Sequence, residues 1–340
     1  MKVSIVVPVR DEEASIRELL DSLLAQTRPP DEIVITDGGS IDATPQIIEE
    51  YIRKGAPVRL IRAGAALPGR GRNLGAAQAS HEWIAFTDAG IRLANNWLET
   101  LIAKAESDNS IDVVYGSWSP VTNTFFKQCA AIAYVPPPSS HNGTITRPRF
   151  IASTLLRREA WEKVKGFPED LRSAEDLLFM DRVENAGYRF VFEPRAQVTW
   201  DLRPTLWSTF KRFVVYSRNN IRAGLFRQWQ SPIIMRYGVL VALAIAALII
   251  EPRWIWFVIG MWLLMLVARA AVSIKRNRVC YPASILQNIA RGVMVMSLIA
   301  VLDAAAIIGS IQWLLLDGRR PAHSTERGSA GSSVVGERDP

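Results

Sequence analysis

The chain has 340 residues, 49% of them hydrophobic, and a formal net charge of +7. That length suits about two domains, and the hydrophobic share is high for a soluble enzyme, with the excess confined to residues 233–316. Basic charge beside long apolar segments favours an anionic membrane surface, and no zinc-finger spacing or RNA-binding signature supports nucleic acid as a partner.

His81, His141 and His323 are scattered, which excludes a histidine-rich metal site, and Cys129 and Cys280 form no metal or redox motif. The short apolar run at the N-terminus is broken by Pro8 and lacks the form of a signal peptide. The first domain is therefore expected on the cytoplasmic side.

Lys2 to Val9 is a β-branched apolar run that predicts a buried strand. Arg10-Asp11-Glu12-Glu13 follows, and Ile16, Leu19, Leu20, Leu23 and Leu24 repeat at helical spacing. Glu32 to Thr36 predicts a second strand ending at Asp37-Gly38-Gly39-Ser40, with Ser40 and Asp42 placed to cap a helix. Val58 to Ile61 predicts a third strand. A glycine-rich loop, Gly64 and then Pro68 to Gly75, is expected to open a small-residue helix, Ala76 to Ala79.

Trp83 to Phe86 then predicts a short buried strand that stops at Asp88-Ala89-Gly90. An acid there lies where ligands gather in parallel α/β sheets; the alternative is an acid capping the next helix. Strand–helix alternation through residue 117 predicts an α/β fold with a doubly wound, Rossmann-like, mostly parallel sheet. Residues 120–149, with Pro136-Pro137-Pro138, are expected to be irregular. A strand over Phe150 to Leu156, a helix over Arg157 to Val164, a helix from Ser173 and short strands over 188–192 and 197–200 complete the domain.

Four features should meet at the carboxyl edge of this sheet: Asp11/Glu12, Asp37, Arg72-Asn73 and Asp88. Acids there can accept hydrogen bonds from a base or ribose, and an arginine can hold a diphosphate. The glycine spacing after the third strand fits neither a dinucleotide fingerprint nor a P-loop. Glu175-Asp176 adds a pair of acids at a helix start. Either could cap the helix, and either could take the proton from an attacking hydroxyl; Asp176 is the preferred base.

In this order, Val7-Pro8-Val9-Arg10-Asp11-Glu12-Glu13, Asp37-Gly38-Gly39-Ser40-x-Asp42-x-Thr44, Arg72-Asn73-x-Gly75, Asp88-Ala89-Gly90 and Glu175-Asp176 resemble the family 2 glycosyltransferases of GT-A fold, over residues 2–230. The resemblance implies a donor site at Pro8, Arg10, Glu12, Asp37, Gly38, Arg72, Asn73 and Asp88. In it Glu12 and Asp37 serve the nucleotide base, Arg72 lies near the diphosphate, and Asp88 is the first acid of the DxD motif. It implies Asp176 as the base of an inverting transfer aided by a divalent cation, Mg²⁺ or Mn²⁺, at Asp88. Gly90 stands where the motif has its second acid. Tyr216 to Asn220 lacks the Gln-x-x-Arg-Trp motif of processive synthases, which implies single addition.

These readings divide the chain into a transferase domain (1–204), a basic amphipathic helix (205–230), a transmembrane region (231–316) and a disordered tail (317–340). The helix is expected at the lipid headgroups; the alternative is a surface helix packed on the catalytic domain. Spans are expected over 233–250, 254–272 and 292–316. Lys275-Arg276-Asn277-Arg278 should face the cytoplasm of a multi-pass inner-membrane protein, while Asp303 lies inside the third candidate span. The expected function is transfer of a sugar from a nucleotide-sugar donor to a lipid-linked or membrane-proximal acceptor. The alternative, motivated by Gly90, is a non-catalytic membrane scaffold retaining a transferase-like domain.

Overall fold

The structure is a computed structural model that describes residues 1–141 and 144–318. In chain order, the first half runs β1 (Val3–Val9), α1 (Ile16–Leu24), β2 (Glu32–Asp37), α2 (Thr44–Arg53), β3 (Val58–Arg62), α3 (Pro68–Gln78), β4 (Trp83–Phe86), β5 (Ile91–Leu93) and α4 (Trp97–Glu106). Then come β6 (Val113–Val121), α5 (Phe125–Tyr134), a short antiparallel pair β7 (Ser139–His141) and β8 (Thr144–Thr146), β9 (Thr154–Arg157), α6 (Arg158–Lys163), α7 (Glu175–Asn185) and β10 (Phe190–Asp201). The rest is helical: α8 (Leu206–Arg222), α9 (Phe226–Trp229), α10 (Ser231–Ile250), α11 (Ile255–Arg276) and α12 (Ile285–Leu316).

Eight strands form one sheet in the order β3-β2-β1-β4-β9-β6-β10-β5. β1, β2, β3 and β4 run parallel, as do β6 and β10. β9 enters antiparallel between β4 and β6, and β5 pairs antiparallel with β10. The sheet is thus mixed, with its parallel half built by the first four strands. Order reverses between β1 and β4, so a crevice opens beyond their carboxyl ends, where ligands bind in such sheets. β1, β2 and β4 are apolar on both faces because helices cover both sides.

The glycine-rich stretch is a helix and not a loop, which corrects the sequence-based expectation. α3 begins at Pro68, and Gly69, Gly71 and Gly75 lie inside it. A Cβ at Gly75 would stand 2.5 Å from Val6 Cγ1, one at Gly71 3.0 Å from Pro8 Cβ, and one at Gly69 2.0 Å from the Pro168 carbonyl oxygen. Each glycine weakens the helix by about 0.5–1 kcal/mol, and in return α3 lies directly on β1. Gly75→Ala is expected to destabilise the full chain by about 1–3 kcal/mol through overpacking, read as a lowered thermal midpoint in detergent.

Two further expectations are corrected. Residues 120–149 contain a helix, α5, capped by Thr124, whose hydroxyl oxygen accepts from Lys127 N–H. The neighbouring prolines hid it, although Cys129, Ala130, Ala131 and Ile132 give it a buried face. The two short strands after Tyr188 are one strand, β10, with an irregularity between Glu193 and Gln197.

Three helical segments, Ser231–Ile250, Pro252–Arg276 and Ile285–Leu316, are long and apolar enough to cross a membrane. The third begins at Ser284, whose side chain caps it, and so includes Arg291. Residues 205–230 form α8 and α9 with a break at Gly224, where φ is +76°. α8 packs along α12. Beyond Gly318 the expected disordered tail lies outside the described residues.

Candidate active site

The loops after β1 and β2 are laced together. Asp11 N–H donates to Ser40 Oγ at 2.9 Å, and Ile41 N–H donates to Asp11 Oδ1 at 2.9 Å. Glu12 N–H donates to Thr44 Oγ1 at 2.8 Å, and Ser15 Oγ–H donates to Glu12 Oε2 at 2.5 Å. Buried Asp37 accepts from both N–H and Oγ–H of Ser40, at 2.9 and 2.6 Å. Asp11 sits at φ +54°, an uncommon left-handed conformation for a residue with a side chain. Gly38 approaches closely enough that a Cβ would lie 2.6 Å from the Ala66 carbonyl oxygen. Pro8 is half-buried on the same floor, and Arg10 is exposed, with Nε 3.6 Å from Asp11 Oδ2.

The opposite wall is built around Arg72. Its guanidinium donates from Nη2 to Asp88 Oδ1 at 2.7 Å and from Nη1 to Glu175 Oε1 at 2.8 Å. The Arg72 side chain is 4% exposed, that of Glu175 6%, and that of Asp88 31%. Phe167 lies against the guanidinium, 5.5 Å from its carbon, and stacks on Phe179. Arg72 Nε, Glu175 Oε2 and the Ser173 hydroxyl are buried with no partner among the described residues, so the cluster holds unused polar capacity.

Asp176 is half-buried beside this pair. Residue 174, an alanine at φ +69°, sets the start of α7, so strain of about 1–3 kcal/mol is held where both acids leave the loop. Burial, and then the neighbouring Asp176 charge, push Glu175 up to about 7 against the pull of Arg72. Burial also raises Asp176, again opposed by Arg72. Burial alone would lower the Arg72 guanidinium, but Asp88, Glu175 and Asp176 together hold it above its ordinary range.

The raised value of Glu175 has a sign. The folded protein keeps a proton that the unfolded chain releases, so its stabilising contribution is complete below the ordinary value of 4.5 and is lost as pH rises through about 7. Glu175→Gln removes this dependence. Its thermal midpoint relative to the unaltered protein is expected to rise from about pH 5 to about pH 8, measured by calorimetry.

Asn73 is fully engaged within the protein. Its Nδ2 donates to the Phe167 carbonyl and to Glu169 Oε1, both at 2.9 Å, while Oδ1 accepts from Trp161 Nε1 and Phe167 N–H at 3.0 and 2.8 Å. It fastens α3 to α6 and to the segment that follows it, and thereby places Phe167 beside Arg72. Phe167 and Ser173 had no signal in the sequence beyond Gly166, the turn residue before them, at φ +71°. Gly90, at φ +77°, has nothing within 4 Å of where a Cβ would lie. Among the described residues, no three His, Cys, Asp or Glu side chains stand close enough to hold a metal.

An α/β sheet with acids and one arginine gathered at its switch point belongs with the architectures that bind nucleotides there. Residues 4–163, just under half of the chain, match the model of glycosyl transferase family 2, and the fold is of the GT-A type. It is 31% identical over 194 residues to an uncharacterized glycosyltransferase, EpsJ, of Bacillus subtilis (strain 168), covering 52% of this chain and 54% of that protein. It is 31% identical over 186 residues to the poly(ribitol-phosphate) beta-N-acetylglucosaminyltransferase TarS of Staphylococcus aureus (strain MW2), covering 53% of this chain and 32% of that protein. The chain thus matches only about half, or a third, of the length of these relatives.

Two solved structures share the fold. Residues 1–349 of S. aureus TarS in complex with UDP superpose with a TM-score of 0.50 at 20% identity, over 90% of each chain. The mannosyltransferase PcManGT of Pyrobaculum calidifontis, in complex with GDP-Man and Mn²⁺, superposes with a TM-score of 0.53 at 19% identity, over 92% of this chain and 87% of that one.

Proposed function

We propose that the chain is a membrane-anchored, inverting glycosyltransferase that moves one sugar per encounter from a nucleotide-sugar donor to a lipid-linked or membrane-proximal acceptor on the cytoplasmic face. The observation that carries this reading is the buried Arg72 held between Asp88 and Glu175, with Asp176 at its margin. Residues 1–204 form the transferase domain and residues 231–316 the anchor.

Each residue then has a task. Glu12 and Asp37, on the laced floor with Pro8, Arg10 and Gly38, receive the nucleotide base. Arg72 offers a fixed positive charge to the donor diphosphate. Asn73 is a positioning residue that keeps Phe167 and Arg72 in register. Asp176 accepts the proton of the acceptor hydroxyl as its oxygen bonds to the anomeric carbon, and the nucleoside diphosphate leaves with the electron pair of the broken bond. Burial that raises the Asp176 pKa makes it a stronger base.

The donor set suits a divalent cation only together with the donor. Asp88 has one oxygen engaged by Arg72 and a partly exposed carboxylate, and Mg²⁺ is often held by one or two carboxylates plus substrate phosphates and waters. When bound, such a cation would neutralise the leaving diphosphate.

Incubation of membranes containing the full chain with a panel of UDP- and GDP-sugars and lipid-linked acceptors tests the reading. Donor-dependent release of nucleoside diphosphate is expected, with donor binding weakened at least about tenfold by chelator. Absence of turnover and of binding with every donor would sink it. Gly90, where the motif has its second acid, motivates the scaffold as a second reading. It requires glycan output to survive joint replacement of Asp88 and Asp176.

A further inference from the structure

We propose that α12 does not cross the membrane. It lies in the membrane plane, one face on the α/β domain and the other on the acyl chains of the adjoining leaflet, so that both its ends stay on the domain's side. The proposal rests on the membrane anchorage read above, but not on the chain's activity.

One end of α12 is fastened to the transferase domain and the other to α8, which packs on that domain. Near its start, Arg291 donates to Gln128 Oε1 on α5 at 3.2 Å and to the Tyr281 carbonyl at 2.9 Å. Just past its end, Asp317 accepts from Arg218 Nε on α8 at 2.5 Å. Between these points, Gly309 lets α8 approach so closely that a Cβ would lie 2.7 Å from Ser217 Cβ. α5 and α8 in turn hold each other, with the Tyr134 and Phe213 rings edge-to-face at 4.9 Å, and Lys127 on α5 pairs with Asp201 at the end of β10.

From Arg291 to Asp317 the helix rises about 39 Å, more than the roughly 30 Å of a hydrocarbon core. A crossing α12 would therefore carry α5 or α8 through the bilayer. α8 bears Lys211, Arg212, Arg218 and Arg222, each strongly unfavourable at that depth.

The two faces of α12 agree with a helix lying flat. At 100° per residue, buried Arg291, Val295, Leu298, Ala305 and Gly309 fall on one side. Exposed Ile285, Ile289, Val293, Ile311 and Leu315 fall on the opposite side. α10 differs: Val239, Val241, Leu243, Ile245 and Leu248 expose apolar surface on two opposite sides of the helix. The α10–α11 hairpin is thus the immersed element, and α12 is continuous with it. Exposed Lys275, Arg276 and Arg278, just before α12, complement anionic headgroups on the same side.

Asp303 then has an explanation. It pairs with both terminal nitrogens of Arg269, and Tyr237 Oη–H donates to it at 3.0 Å. In a crossing α12 this acid would fall near mid-bilayer. In a flat α12 it lies closer to the domain's side of the bilayer than to its centre, its partner Arg269 about 22 Å along α11 from the hairpin tip at Trp254.

The test uses the full chain in vesicles, with Cys129→Ala to leave exposed Cys280 before α12 and Ser333→Cys added beyond it. A membrane-impermeant maleimide is expected to label both cysteines from the same face, in a ratio near one. Labelling from opposite faces would overturn the proposal. Spin labels at Ile289→Cys and Leu314→Cys, about 37 Å apart along the helix, are expected at equal bilayer depth. Depths differing by more than a leaflet would also overturn it.

Discussion

Asparagine in place of Asp176 is expected to slow sugar transfer by about 10²–10⁴-fold, the range a positioned general base contributes. The change removes the proton acceptor and leaves size and helix geometry intact. Donor affinity should therefore stay within about threefold of the original, since Arg72 and Asp88 are untouched. The neighbouring acid gives the contrast. Glu175 is committed to Arg72 at 2.8 Å and nearly closed to solvent, so Glu175→Gln should act on the arginine and weaken donor binding. Steady-state kinetics with separate donor titrations distinguish the two. Full turnover in Asp176→Asn would remove the base assignment.

Arg72→Ala is expected to destabilise the protein by about 3–5 kcal/mol, the loss seen when one partner of a buried ion pair is deleted. The reason lies in what remains: Glu175 would be left buried beside Asp176 with no cation, next to the buried ring of Phe167 that lay against the guanidinium. Lysine should not replace the arginine well, because the two acids are held by two different nitrogens of one planar fork. Adding Glu175→Gln to Arg72→Ala should recover part of the loss, and a double-mutant cycle in denaturant measures the coupling. A loss below about 1 kcal/mol for Arg72→Ala would show that the cluster relaxes into water.

The first four strands were legible because each is a short, largely apolar run followed by Asp or Gly, and in β1, β2 and β4 burial on both faces makes the run continuous. Asp88 and Arg72 were legible as members of an ordered set, but their mutual contact was not, since it joins positions 72, 88 and 175 through the folding of three crossovers. α3 misled because three glycines ordinarily mark a loop. Their purpose, close approach to Val6, Pro8 and Pro168, belongs to tertiary packing and leaves no periodic trace. α5 was hidden by flanking prolines, and its buried Cys129 and alanines acquire meaning only against α11 and α12.

The glycine contacts of α3 also fix how the site can respond to a ligand. A wall in which only the strand's side chains separate it from the helix has little to compress, so the Arg72 guanidinium is held in place without a ligand, and on the proposed function little reorganisation energy is left for a diphosphate to supply. Adaptation must then come from across the crevice. The turn at Gly90 has open space around it and a backbone that few residues besides glycine adopt readily. The site thus pairs a rigid electrostatic anvil with one compliant edge, and, on the proposed function, differences in donor size should be absorbed at that edge.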